Sequence, residues 1–223
     1  MNVYSFRPQR IKIPRKVIRD LKQISDLSSK RNWEYAGNIE CKIKENSVFF
    51  SKPTFVTSMS RRKVGIDTIE LIWPSLIGYH THPAIVQPQL LNYDSNEIFT
   101  TLPSNSDFEV CIYTYPEMQT NIICDAHGYY IIDMLDAAKN NKIPIPSSVS
   151  KVMKEFRQRP FLKEHVFSED GLEYFHSTLI QWKRLINLEL SQLLKKQFGI
   201  TIRYYTYTEE PPIITIDRDS IDP

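Results

Sequence analysis

At 223 residues the chain is long enough for one large domain, or for a domain with a substantial extension. Its 41% apolar content supports a real core, and 28 basic against 26 acidic residues leave a net charge of +2. That balance provides no global field that would favour nucleic acid or a membrane surface.

In chain order, residues 14–27 place Val17, Ile18, Leu21 and Ile24 on one face at helical spacing, and Arg31-Asn32 breaks the pattern. A strand is expected over 34–43 and another at Ser47 to Phe50, with Glu45-Asn46 as the turn and 53–59 extending the sheet. Residues 60–67 are polar and basic and read as a mobile loop. The apolar, β-prone residues 69–73 and 76–79 lead into His80-Thr81-His82, where Pro83 stops the strand. A helix is expected from Ser104. Residues 121–125 and 129–133 read as a hairpin turning at Ala126-His127-Gly128.

After Asn140, residues 142–148 have the composition of a linker. The longest helical signal follows, running from Leu172 to Phe198. Leu172, Phe175, Leu179, Trp182, Ile186, Leu190 and Leu193 fall on one face, and Gly199 ends the run. A strand is expected at 200–205 and an irregular tail from Glu209. The runs Arg61-Arg62-Lys63 and Lys195-Lys196 read as solvated faces. Cys41, Cys111 and Cys124 are odd in number and lack CxxC spacing, which points to reduced, buried thiols. The N-terminal residues lack the apolar run of a signal peptide, and no apolar segment is long enough to span a bilayer. The expectation is a soluble cytoplasmic or nuclear protein that is not secreted.

The chemistry gathers between Gly78 and Asp107. In an extended segment, side chains two apart share a face, so His80 and His82 project two imidazoles side by side. Such a pair suits one divalent metal, and catalytic zinc takes about three protein ligands. Asp107 is the first candidate for the third ligand. It lies in the opening turn of a helix capped by Ser104, where a carboxylate also suits the helix dipole. Asp94 is a second acidic candidate. His127, His165 and His176 read as a turn residue and two lone helix-region residues.

His80-Thr81-His82-Pro83 followed by Ser104-Asn105-Ser106-Asp107 resembles the JAMM (MPN+) zinc metallopeptidase family. Its pattern is a glutamate on an early strand, then His-Ser/Thr-His, then Ser-x-x-Asp. The early glutamate best matches Glu34, in Glu34-Tyr35-Ala36-Gly37, with Glu40 and Glu70 as alternatives. The similarity covers roughly residues 13–135. Residues 83–103 are longer than the family's usual spacer, so 84–102 reads as an insertion beside the site.

The resemblance implies an α/β fold, a JAMM/MPN-like mixed β-sheet flanked by helices, over residues 1–140. Residues 141–223 are expected to form a helical C-terminal extension. It further implies Zn2+ on His80, His82 and Asp107, Glu34 as general base, and Ser104 as donor to a developing oxyanion. The implied reaction is hydrolysis of an amide or isopeptide bond in a ubiquitin-like or other protein substrate. A partner protein could dock on the stripe from Leu172 to Phe198. A non-catalytic MPN-type scaffold is the alternative, although a scaffold needs no metal ligands. A RadC-like protein tied to DNA shares the histidine and aspartate frame, but the near-neutral charge argues against nucleic acid.

Overall fold

In the computed structural model, which describes residues 8–44, 47–57, 59, 75–84, 97–140, 142–169 and 172–217, the N-terminal helix is α1 (Arg15–Arg31). It buries Val17, Ile18, Leu21 and Ile24, and Asn32 ends it in the left-handed conformation at φ 56°. Asparagine tolerates that region better than most residues do. Strand β1 (Pro8–Lys12) precedes it, and β2 (Ala36–Ile39), β3 (Cys41–Lys44) and β4 (Ser47–Phe50) follow. The strand expected over 34–43 is thus divided: β2 joins the main sheet, while β3 and β4 form a separate hairpin.

Next come β5 (Ile77–Thr81), β6 (Glu97–Thr100), α2 (Asn105–Thr114), β7 (Thr120–Cys124), β8 (Gly128–Asp133) and the short α3 (Leu135–Lys139). Then follow α4 (Pro146–Arg157), α5 (Pro160–His165), β9 (Val166–Glu169) and β10 (Leu172–Thr178). A continuous helical run is built from α6 (Leu179–Arg184), a π-helical turn (Leu185–Leu190) and α7 (Ser191–Phe198). β11 (Thr201–Thr206) and β12 (Ile213–Asp217) complete the described chain.

The central sheet has five strands in the order β11-β8-β7-β5-β2. It is mixed, because β5 and β7 run parallel while the other neighbours are antiparallel. Alternation along each strand gives it two buried faces. Tyr79, Ile122, Cys124, Tyr129 and Ile131 share one core with α1, and with Ile11, Ile214 and Ile216 of the β1–β12 pair. Ile123, Tyr130, Ile132, Ile202 and Tyr204 share the other with α2, α4 and the helical run that carries Trp182 and Ile186. The fold is therefore α/β, a mixed sheet flanked by helices. All three cysteines are buried and unpaired.

Three expectations for the C-terminal third are corrected. The helix does not begin at Leu172: residues 172–178 form β10, which pairs with both β6 and β9. Thr178 caps the helix instead, in a reciprocal capping box with Gln181. That Thr-x-x-Gln signature is legible in the sequence, but the apolar stripe extends across it by coincidence of spacing. Of the stretch read as a linker, only 146–148 are helical and open α4, with Pro146 in its first turn. The tail after Glu209 is not irregular, since β12 pairs with β1 and buries Ile214 and Ile216 completely. The apolar stripe of the helix is covered by the chain's own sheet, with Trp182, Ile186 and Leu190 at 0% exposure. The loop at 60–67, the segment 69–73, Glu70, Asp94 and the Glu45-Asn46 turn lie outside the described residues. No helix among the described residues is long and apolar enough to cross a membrane.

Gly37 on β2 permits a close crossing by residues 51–57. A β-carbon there would lie 1.7 Å from the Thr54 carbonyl oxygen. That oxygen is held by the Tyr79 hydroxyl, and Thr54 N–H donates to Asn38 O, so the obstruction is backbone that cannot swing aside. Gly37→Ala is expected to cost ~1–3 kcal/mol or more as an overpacking change. Thermal denaturation should report it as a Tm lower by ~2–4 °C per kcal/mol; an unchanged Tm would mean that the crossing segment yields freely.

Candidate metal centre

β5 ends at Thr81, and its last residues lie between β2 and β7. His80 faces Ala36 on β2 and Ile123 on β7, which places its ring on the α2 side of the sheet. Thr81 points the other way and is fully buried. Its hydroxyl accepts from Tyr35 N–H at 2.9 Å and donates to Ser28 Oγ at 2.7 Å, and Ser28 Oγ donates to Trp33 O. The middle residue of His-Thr-His therefore ties the strand to α1, a role the spacing alone does not reveal. His82 N–H donates to Cys124 O at 2.7 Å, which extends the register one residue beyond the strand.

Asp107 arrives from the first turn of α2. Ser104 is the N-cap, as expected, and the capping box is reciprocal: Asp107 N–H donates to Ser104 Oγ at 3.2 Å, and Ser104 N–H to Asp107 Oδ2 at 2.6 Å. The other carboxylate oxygen stands 3.1 Å from His80 Nε2. His80 Nε2 and His82 Nε2 are 3.2 Å apart, and His82 Nε2 is 3.7 Å from Asp107 Oδ2. Two donors each ~2.0–2.1 Å from a tetrahedral ion stand ~3.3 Å apart, so this spacing suits one metal ion. Among the described residues, these three form the group whose ligand atoms converge within 4.8 Å.

The electrostatics agree with a cation at that point. Burial acts to lower the His80 pKa, but the Asp107 charge and hydrogen bond, the Glu34 charge and the Asn121 side chain together hold it above the ordinary value. Burial lowers His82 to about 4 despite Asp107, and the His80 charge pushes the same way. Burial would raise Asp107, but His80, His82 and the Ser104 N–H hold it well below the usual carboxylate range. One positive charge is stabilised between the imidazoles and the carboxylate; two are not, because like charges this close repel.

Glu34 lies two residues before Ala36, the partner of His80, so continued antiparallel register sets it opposite His82 on the same face. Its charge is felt at His80, and Thr57 Oγ1 donates to its main-chain carbonyl at 2.6 Å. Glu40, the described alternative, pairs with Lys42 at the exposed surface. His127 accepts from Phe99 N–H, and His176 stacks on Phe99 and faces Glu97 at 3.4 Å; neither joins the cluster.

Sequence reading misses the groups that orient the candidate ligands. For His82 Nε2 to offer a lone pair, the ring proton must sit on Nδ1, where Thr101 Oγ1 waits at 2.6 Å. Thr101 is the first residue after β6. Its carbonyl accepts from Tyr130 OH at 2.8 Å, and Trp182 Nε1–H donates to that phenol at 2.8 Å. No short-range signal could identify Thr101, because only the packing of the β6 sheet against the central sheet brings it to His82. Comparison with protein families, with curated proteins and with solved structures finds no match.

Removal of the Thr101 hydroxyl should loosen the His82 ring. Thr101→Val is expected to lower metal affinity by ~10–100-fold, the usual effect of losing a ligand-orienting hydrogen bond. Thr101→Ser should restore it. Competition titration with a chromophoric chelator measures both, and equal affinity in Thr101→Val would show that the ring is held by packing alone.

Proposed function

We propose that the protein is a zinc-dependent hydrolase of amide or isopeptide bonds, of the JAMM type that its motifs resemble. The observation that carries this reading is the convergence of His80, His82 and Asp107, with the Glu34 carboxylate on the same face. Two neutral nitrogens and one carboxylate form a donor set suited to catalytic zinc. Zinc held there supplies Lewis acidity and brings the pKa of water in the site toward ~7.

The chain's own groups have distinct tasks in this reaction. Glu34, which is not among the converging ligands, takes the proton from the attacking water and passes it to the leaving amine. Ser104 Oγ accepts from Asp107 N–H, so its own proton remains to donate to the oxygen that gains charge in the transition state. Asp107 stays ionised throughout, because the imidazoles, His80 foremost, and its cap hold its pKa low. The substrate is a protein or peptide, with ubiquitin-like conjugates as the class that the resemblance suggests.

One zinc per chain is expected by elemental analysis, and His80→Ala should abolish both zinc content and activity. Unchanged stoichiometry in that variant would end the assignment of the ligands. Chelation should remove activity while leaving the circular dichroism spectrum intact, since neither hydrophobic core includes His80, His82 or Asp107.

A separate measurement isolates the chemistry. Glu34→Gln should retain zinc and substrate affinity and lower kcat by ~10²–10⁴ in a peptide or diubiquitin cleavage assay. Parent-like turnover in Glu34→Gln would mean that another group is the base.

A further inference from the structure

α4 buries Val149, Val152, Met153 and Phe156. Its opposite side carries Ser147, Ser150, Lys151, Lys154 and Arg157 at steps of three and four, and these line a cleft of about 530 Å³. Lys163 at the end of α5 adds a fourth cation, while Val166 and Phe175 contribute apolar lining and Glu173 the one carboxylate. Lys151, Lys154 and Lys163 are exposed, and none is ion-paired among the described residues. Arg157 faces Glu173 at 3.7 Å, so the net local charge comes from the three lysines.

The cleft meets the metal centre at α2. Asn105, the first residue of that helix, lines the cleft two positions before Asp107. Arg157 binds this junction, donating to Pro103 O at 2.8 Å and to Asn105 Oδ1 at 3.3 Å, and it feels the Asp107 charge. A chain that leaves the metal centre along the start of α2 therefore enters a basic channel.

We infer that this cleft binds an acidic segment of polypeptide that flanks the bond placed at the metal centre. Separated lysines with serine hydroxyls and amide side chains between them match carboxylates spaced along a peptide, with partners for its main chain. Nucleic acid fits less well. Phe175 is only 2% exposed and offers no face for base stacking. The occupant's role as substrate rests on the hydrolase reading above, but its binding does not require turnover.

The test is anisotropy of fluorescein-labelled hexaglutamate with the full chain, in the zinc-loaded parent, in His80→Ala and in Lys151→Glu/Lys154→Glu. Saturable binding is expected in the parent, weakening between ~50 and ~200 mM salt as surface charges are screened. The double variant should lose ~10-fold or more in affinity with zinc content unchanged, and His80→Ala should bind as the parent does. Equal binding by parent and double variant overturns the inference. So does tighter binding of a single-stranded hexathymidylate that is lost in the same variant, which would give the cleft to nucleic acid. If hexaglutamate binding follows the lysines while no peptide is cleaved, the cleft stands and the hydrolase reading falls.

Discussion

The candidate centre depends on the reciprocal cap between Ser104 and Asp107. One carboxylate oxygen accepts from the Ser104 backbone N–H at 2.6 Å, and the other faces His80 Nε2 at 3.1 Å. The orientation of this acidic candidate ligand is therefore a property of a helix end. A carboxylate at the third position satisfies an otherwise unpaired N–H and sits favourably in the helix dipole, so it is held without a bound ion. Its low pKa comes first from the His80 imidazole it faces, then from His82 and the Ser104 N–H.

The histidines depend on the sheet in a similar way. β5 lies between an antiparallel and a parallel neighbour, and Thr81 is fastened to α1 through Tyr35 and Ser28. A one-residue slip would exchange His80 with the buried Thr81, which has no freedom to turn outward. Glu34 shares this constraint, because the chain entering β2 stays tied to β5, with Thr81 N–H donating to Tyr35 O beside it. Glu34 and the two histidines are thus set by the β2–β5 pair, and Gly37 keeps that pair close to the crossing segment.

The C-terminal third takes part in the same construction. β11 closes one edge of the sheet, and the helix that follows β10 covers the face on which the centre sits. Trp182 donates to Tyr130, Tyr130 donates to Thr101 O, and Thr101 meets His82. A residue 100 positions beyond His82 in the chain thereby supports the ring of a candidate ligand. Arg157 does the corresponding work on the Asp107 side by holding the turn at Pro103 and Asn105.

Local chemistry made much of this legible in the sequence. The i, i+2 histidines needed only an extended strand, the Ser-x-x-Asp cap only a helix start, and α1 only its apolar period, because each depends on residues within a few positions of one another. The β7–β8 hairpin was readable for the same reason. Where short-range signals competed, the sequence misled: the stripe from Leu172 crossed a strand–helix boundary that the Thr178 cap marks, and Ile213 to Asp217 became a strand only because β1 lies beside it. Tertiary structure alone decided that His80, His82 and Asp107 meet, that Glu34 shares their face, and that Thr101 orients His82. Those are distances between segments far apart in the chain, and they are set by strand register and by the packing of α2 on the sheet, neither of which is encoded in any single stretch.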